Sequence, residues 1–284
     1  MHIEPLHDEL GAKITDIDLA ETPAGDTLEA ICEAIDTHSF VWFPDQPFDD
    51  DRQLALTKAL GEPEPGHVAY GEEGKIEYFG TIGNVQQDGT ALGETAQKTK
   101  FLKGNNLWHS DASFKAVPAF ASIMCAYETP AEGGETLFVS TRSAWDRLDE
   151  DRQAELEPMI GIHDYTYSRS KVAEVKPSLS ASLPPVRQKL VRTNPRNGRK
   201  NLFLGSHCRE IEGMGYDASR ALLEDLTTEA VADEHVLWHR WQPGDLVIWD
   251  NRCLIHRGAG YDADKYRRYM RQTRVSGTSS SLEE

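Results

Sequence analysis

Short apolar runs recur along this chain with turn residues between them, and that spacing restricts the fold more than any other feature. Phe40-Val41-Trp42-Phe43 is stopped by Pro44-Asp45, and comparable runs occupy 77–82, 120–127, 136–140, 190–193, 201–204, 245–249 and 272–275. Each has the length of a strand rather than of a packed helix. Residues 11–19 alternate apolar and polar side chains, as a half-buried strand does. Asn197-Gly198 separates two of the runs and signals a hairpin, because both turn positions call for positive φ. Helical periodicity is confined to 27–38, 50–60, 143–159 and 218–232, the second ended by Gly61. Strands and helices do not alternate, which argues against a doubly wound parallel sheet. The expectation is one domain over 1–284, mainly β with flanking helices: a double-sheet jelly roll, or double-stranded β-helix.

Composition narrows the function. The formal net charge of −17 disfavours nucleic acid and anionic membranes as partners, yet leaves room for a small anionic substrate in a pocket with its own arginines. No apolar run approaches a membrane span. The start, Met1-His2-Ile3-Glu4-Pro5, lacks a basic segment followed by an apolar one, so a cytoplasmic protein is expected. Cys32, Cys125, Cys208 and Cys253 form no Cys-x-x-Cys pair and read as reduced, packed thiols. The segment 166–189, rich in serine and proline without a period, reads as a long loop: a substrate lid or an unstructured excursion.

His109 and Asp111 flank Ser110, and His256 follows the apolar run 245–249. Two histidines and a carboxylate can cap one face of a metal and leave the opposite face open, the ligand set of non-haem Fe(II) oxygenases. In an extended segment, His109 and Asp111 would point to the same side. Among ten histidines such a pair also arises by chance, and a surface or hydrogen-bonded pair is the plainer reading of each residue alone. Arg267 and Arg271 lie eleven and fifteen positions beyond His256. Their even spacing places them on one face of a strand. Arginines aimed into an interior require anions there; otherwise they are surface charge among Lys265, Arg268 and Arg274.

These residues carry a family resemblance. Residues 11–19, Trp108-His109-Ser110-Asp111-Ala112-Ser113-Phe114, Gly133-Gly134-Glu135-Thr136, Trp249-Asp250-Asn251-Arg252 and the His256…Arg267 spacing resemble the taurine/2,4-dichlorophenoxyacetate dioxygenases over almost the whole chain. Residues 190–193, 198–207 and 244–253 look most like the aryloxyalkanoate branch, and 166–171 resembles its lid segment. The resemblance implies Fe(II) held by His109, Asp111 and His256, with 2-oxoglutarate and O2 as co-substrates. It implies Arg267 and the Thr136 hydroxyl on the distal carboxylate of 2-oxoglutarate, and Asn105 beside them as a polar pocket residue. Arg271 would meet the anionic group of the substrate. The implied reaction hydroxylates an aryloxyalkanoate beside its ether oxygen, giving a phenol plus glyoxylate or pyruvate, with succinate and CO2. A taurine-like sulfonate dioxygenase, a hydroxylase of another small carboxylate, and a jelly-roll binding protein without catalysis are the alternatives. The resemblance also carries an expectation of a homo-oligomer. His67, in a loop that departs from the family pattern, reads as the family's substrate histidine or as an exposed one. His207 either lines the cavity or satisfies a buried hydrogen bond.

Overall fold

The structure, a computed structural model, describes residues 1–46, 48–66, 78–86, 88–175 and 182–284. A seven-stranded sheet in the order β1-β2-β3-β13-β5-β15-β4 forms its backbone. Its strands are β1 (His2–Pro5), β2 (Ala12–Thr15), β3 (Phe40–Phe43), β4 (Gly80–Gly83), β5 (Ala121–Glu128), β13 (Leu246–Asp250) and β15 (Tyr269–Val275). All pair antiparallel except β2 with β3. Against it lies a smaller sheet in which β6 (Thr136–Ser140) is central between β12 (Leu237–His239) and β14 (Leu254–Gly258). A three-stranded sheet orders β11 (Cys208–Ile211), β7 (Ile160–His163) and β8 (Val186–Lys189), and β9 (Val191–Thr193) pairs with β10 (Lys200–Leu202).

Alternation along the central strands divides the core in two. Leu246 and Ile248 of β13 and Ile123 and Cys125 of β5 pack outward with Ile31, Ile35 and Leu56. Those three come from α1 (Gly25–His38) and α2 (Asp50–Leu60). Val247, Trp249 and Met124 face the other way, against Phe138 of β6 and Leu254 of β14. Both faces of these strands are therefore buried, as continuous apolar runs require. The helix α2 begins where Asp49 accepts a hydrogen bond from Arg52 N at 2.8 Å, an N-cap.

Several expectations need correcting locally. The hairpin at Asn197-Gly198 is present, but only Gly198 has positive φ. The loop runs from Asn194 to Arg199, closed by Asn194 N donating to Arg199 O at 2.9 Å. The segment 166–189 is not one loop: α6 (Tyr165–Ser170) is helical, capped by Asp164, and β8 closes the segment as a strand. Residues 176–181 of it lie outside the described residues. All four cysteines are free thiols, and burial pushes Cys208 and Cys253 up to about 12. Among the described residues no helix is long and apolar enough to cross a membrane.

Candidate active site

His256 sits in the middle of β14, with β6 on one side and the chain around His109 on the other. His109 N donates to His256 O at 3.0 Å and His256 N donates to His109 O at 2.8 Å. This reciprocal pairing sets the two rings side by side, their centroids 4.3 Å apart. The run containing His109 is thus a single bridge and not a strand, and Asp111 lies in the turn that follows. Ala112 takes φ +55° there, and Lys115 N closes the turn on Ala112 O at 2.9 Å. The turn, rather than strand alternation, brings Asp111 beneath both histidines.

The three ligand atoms converge. Oδ1 of Asp111 is 3.6 Å from His109 Nε2 and 3.9 Å from His256 Nε2. All donor atoms of the group lie within 4.8 Å of one another. The Nδ1–H of His109 points to Leu107 O at 2.7 Å, which leaves the Nε2 lone pair for a metal. Burial, and then the neighbouring His109, lower His256 to about 3, so this ring is neutral at neutral pH. Burial opposes ionisation of Asp111, but the histidines and the Arg274 guanidinium hold its carboxyl well below the usual range. Its other oxygen, Oδ2, accepts from Ser122 Oγ and from Gln272 Nε2, both at 2.7 Å. Ser122 is in turn fixed by Asn251 Nδ2 at 2.9 Å. One carboxylate oxygen is used by the protein and one faces the histidines. An N,N,O set of this kind, two imidazole nitrogens and one carboxylate oxygen, suits Fe(II).

The ligands open onto a cavity of about 120 Å³ that Asn105, Thr136, Arg268 and Gln272 also line. Thr136 Oγ1 accepts from Trp241 Nε1 at 2.9 Å, so its own proton remains available to a ligand. Asn105 Oδ1 accepts from Arg169 at 2.8 Å. Arg268 is buried, and its Nε has no partner among the described residues. Burial without a carboxylate lowers its pKa to about 10. A buried guanidinium left without an anion is an anion site. Gly83 admits it: a Cβ there, at φ +122°, would stand 2.1 Å from Arg268 O.

The two arginines singled out in the sequence do not reach this cavity. Arg267 is on the surface, held by Glu128 at 2.6 and 3.0 Å and by Gly89 O. Arg271 turns to the helical layer, where it pairs with Asp50 of α2 at 3.0 and 2.5 Å and with Thr81 at 2.9 Å. They share a side, as their spacing requires, but it is the side away from the metal ligands. The even-numbered residues Arg268, Met270 and Gln272 face inward. Since Met270 and Val275 are both buried and five positions apart, the apolar pattern could not tell the two faces apart. Gln272 was missed because its part depends on Asp111, 161 residues away in the chain, and Ser122 because its hydroxyl reaches Asp111 only through the fold of β5. His207 satisfies a buried hydrogen bond, its Nδ1 3.2 Å from Ser113 Oγ, and its ring meets His109 edge-on. His67 lies outside the described residues.

A His/Asp/His set opening onto a cavity lined by a buried arginine that pairs with no carboxylate among the described residues fits a non-haem iron oxygenase that uses an anionic co-substrate. The family model described as Taurine catabolism dioxygenase TauD, TfdA family matches residues 2–274, and the chain belongs to that family. The chain is 36% identical over 274 residues to an alpha-ketoglutarate-dependent 2,4-dichlorophenoxyacetate dioxygenase of Cupriavidus pinatubonensis, covering 95% of this chain and 96% of that one. It is 31% identical to an (S)-phenoxypropionate/alpha-ketoglutarate-dioxygenase of Sphingobium herbicidovorans, covering 98% and 96%. Among solved structures, AAD-2 in complex with Mn(II) and N-oxalylglycine superposes with a TM-score of 0.90 at 33% identity, covering 99% of this chain and all of that one.

Proposed function

We propose that this enzyme is an Fe(II)- and 2-oxoglutarate-dependent dioxygenase that hydroxylates aryloxyalkanoates on a jelly-roll scaffold. The observation that carries the reading is the His109/Asp111/His256 set opening onto the same cavity as Arg268, whose buried Nε has no partner among the described residues. The two facing, mainly antiparallel sheets support the jelly-roll description. The likeness to the phenoxyacetate and phenoxypropionate enzymes over nearly the whole chain supports the substrate class. One domain over 1–284, a lid within 166–189 and a cytoplasmic location accompany the reading as expectations from the sequence, and a homo-oligomer as an expectation from the family.

When bound, Fe(II) with 2-oxoglutarate and O2 supplies the oxidation, with succinate and CO2 as by-products. His109, Asp111 and His256 would hold the metal by their converging atoms. Ser122 and Gln272 occupy the second oxygen of Asp111, which favours a single carboxylate oxygen on the metal. Arg268 replaces the assignment given to Arg267: its guanidinium would form a bidentate pair with the distal carboxylate of 2-oxoglutarate. The Thr136 hydroxyl would donate to the same group. Apolar walls, Met124 and Trp249 among them, exclude water and hold the substrate carbon in place. Hydroxylation beside the ether oxygen yields a hemiacetal or hemiketal, whose collapse releases a phenol with glyoxylate or pyruvate.

The test is succinate and phenol release by iron-loaded protein given O2 and 2-oxoglutarate, with phenoxyacetate, both phenoxypropionate enantiomers or taurine. Phenol equal to succinate is the expected result. Succinate driven by taurine without phenol from any ether would move the enzyme to the sulfonate reaction. No succinate despite bound iron would overturn the catalytic reading.

A further inference from the structure

We infer that Arg169 is a positioning residue that fixes Asn105 as a hydrogen-bond donor toward the substrate's anionic group and biases the pocket toward anions. The inference rests on the function proposed above and deepens it. Of the cations around the site besides Arg268, two are already paired: Arg274 with Glu64 at 2.7 Å and Lys103 with Glu94 at 2.5 Å. Arg169 meets no carboxylate among the described residues, although it is only 8% exposed. Its NH2 donates to Asn105 Oδ1 at 2.8 Å and its NH1 to Phe101 O at 3.3 Å. Its guanidinium lies over the rings of Phe101 and Tyr165, at 5.2 and 5.1 Å, and its Nε is buried without a partner among the described residues.

A guanidinium has only donors, so only the oxygen of the Asn105 carboxamide can face it. The Asn105 Nδ2 donors are what remains for the cavity, which Asn105 lines. Behind them stands a positive charge that no carboxylate among the described residues neutralises, in surroundings where its attraction for an anion is little screened. The placement is built in. Ser168 Oγ, one residue before Arg169, meets Ser206 Oγ at 2.8 Å, and Ser206 N donates to Trp108 O at 2.7 Å, next to His109. Gly104 makes the space: a Cβ there would stand 2.0 Å from Arg169 NH1. Helix α6, the metal-ligand segment and Asn105 are thereby one rigid assembly around the guanidinium.

The experiment is calorimetric binding of phenoxyacetate, 2-phenoxypropionate, taurine and hexyl sulfate, with neutral phenoxyacetamide, to anaerobic protein loaded with Fe(II) and 2-oxoglutarate. Wild type is compared with Arg169→Met, Arg169→Lys and Asn105→Leu. The anion that binds wild type best is expected to weaken at least tenfold in Arg169→Met and Asn105→Leu, with partial recovery in Arg169→Lys. In Arg169→Met, phenoxyacetamide and 2-oxoglutarate should change less than twofold; in Asn105→Leu the amide, whose carbonyl oxygen also accepts from Asn105, should weaken less than the anion. Equal weakening of the amide and the anion would reduce Arg169 to a structural role and overturn the inference. Should Arg169→Met not fold, Asn105→Leu carries the same comparison. If an anion binds wild type and the variants equally, this inference falls alone; if no anion binds wild type, it falls together with the proposed function.

Discussion

Arg267 and Arg268 are neighbours in the chain and opposites in circumstance. Arg267 has a half-exposed side chain with Glu128 already bound to it. Arg268 is buried against the cavity and pairs with no carboxylate among the described residues. The difference teaches how to tell a structural cation from a ligand-binding one: the first brings its partner in the fold, the second is left for a partner that arrives. The largest expected effect tests this directly. Arg268→Met should raise the 2-oxoglutarate KM by about 100- to 1000-fold, the cost of removing a buried charge pair of about 3–4 kcal/mol. Arg267→Ala should leave it within about twofold, as a surface ion pair implies. Steady-state kinetics at varied 2-oxoglutarate decides, and the reverse order would break the comparison.

The same contrast continues along β15, now between adjacent uncharged residues. Gln272 faces inward and donates to Asp111, while Thr273 faces α2, its hydroxyl 2.7 Å from that of Thr57. Removing an outer hydrogen-bond partner of a metal ligand costs about 10–100-fold in metal affinity. Gln272→Leu is therefore expected to weaken Fe(II) binding by about tenfold or more, and Thr273→Val to leave it unchanged. Competition with a chelator under anaerobic conditions measures both. Equal Fe(II) affinities in the two variants would mean that Ser122 alone holds the Asp111 carboxylate.

Signals carried within a few residues were legible in the sequence, and those carried across the fold were not. The strand at 40–43 and the helix at 50–60 emerge with their bounds as read, because Pro44, the Asp49 cap and Gly61 mark them locally. The grouping of His109, Asp111 and His256 was legible through the family resemblance rather than their spacing alone, and the structure brings the three side chains together. The strand β14 was not, since His256 and Arg257 interrupt its apolar pattern and its identity comes from pairing with β6. The face of β15 was not legible either. Alternation fixes which residues share a side, but with both sides buried it does not say which side holds the metal, and a one-residue shift exchanges them completely. That shift is the whole difference between Arg267 with Arg271 and Arg268 with Gln272.

Stability gives the finest version of the comparison, because the two buried arginines of this segment should have opposite signs. Arg271 is satisfied by Asp50, whose side chain is 49% exposed, so solvent screens the pair. Arg271→Met should destabilise the metal-free protein by about 1 kcal/mol, leaving an aspartate that water can reach. Arg268 keeps its charge in a buried place with no carboxylate partner among the described residues, and burial lowers its pKa from the ordinary arginine range to about 10. Between those values the unfolded chain binds the proton more tightly, so the penalty on the fold is complete below about pH 10 and constant through the neutral range. Arg268→Met removes that penalty and should stabilise the same metal-free, 2-oxoglutarate-free protein by about 1–2 kcal/mol at pH 7. Urea unfolding of the two variants reads the signs. Saturating 2-oxoglutarate with Fe(II) should then reverse the order for Arg268, because only wild type gains the stabilisation of a bound anion. An Arg268→Met protein less stable than wild type without ligands would show that the guanidinium already has its counter-charge in the fold.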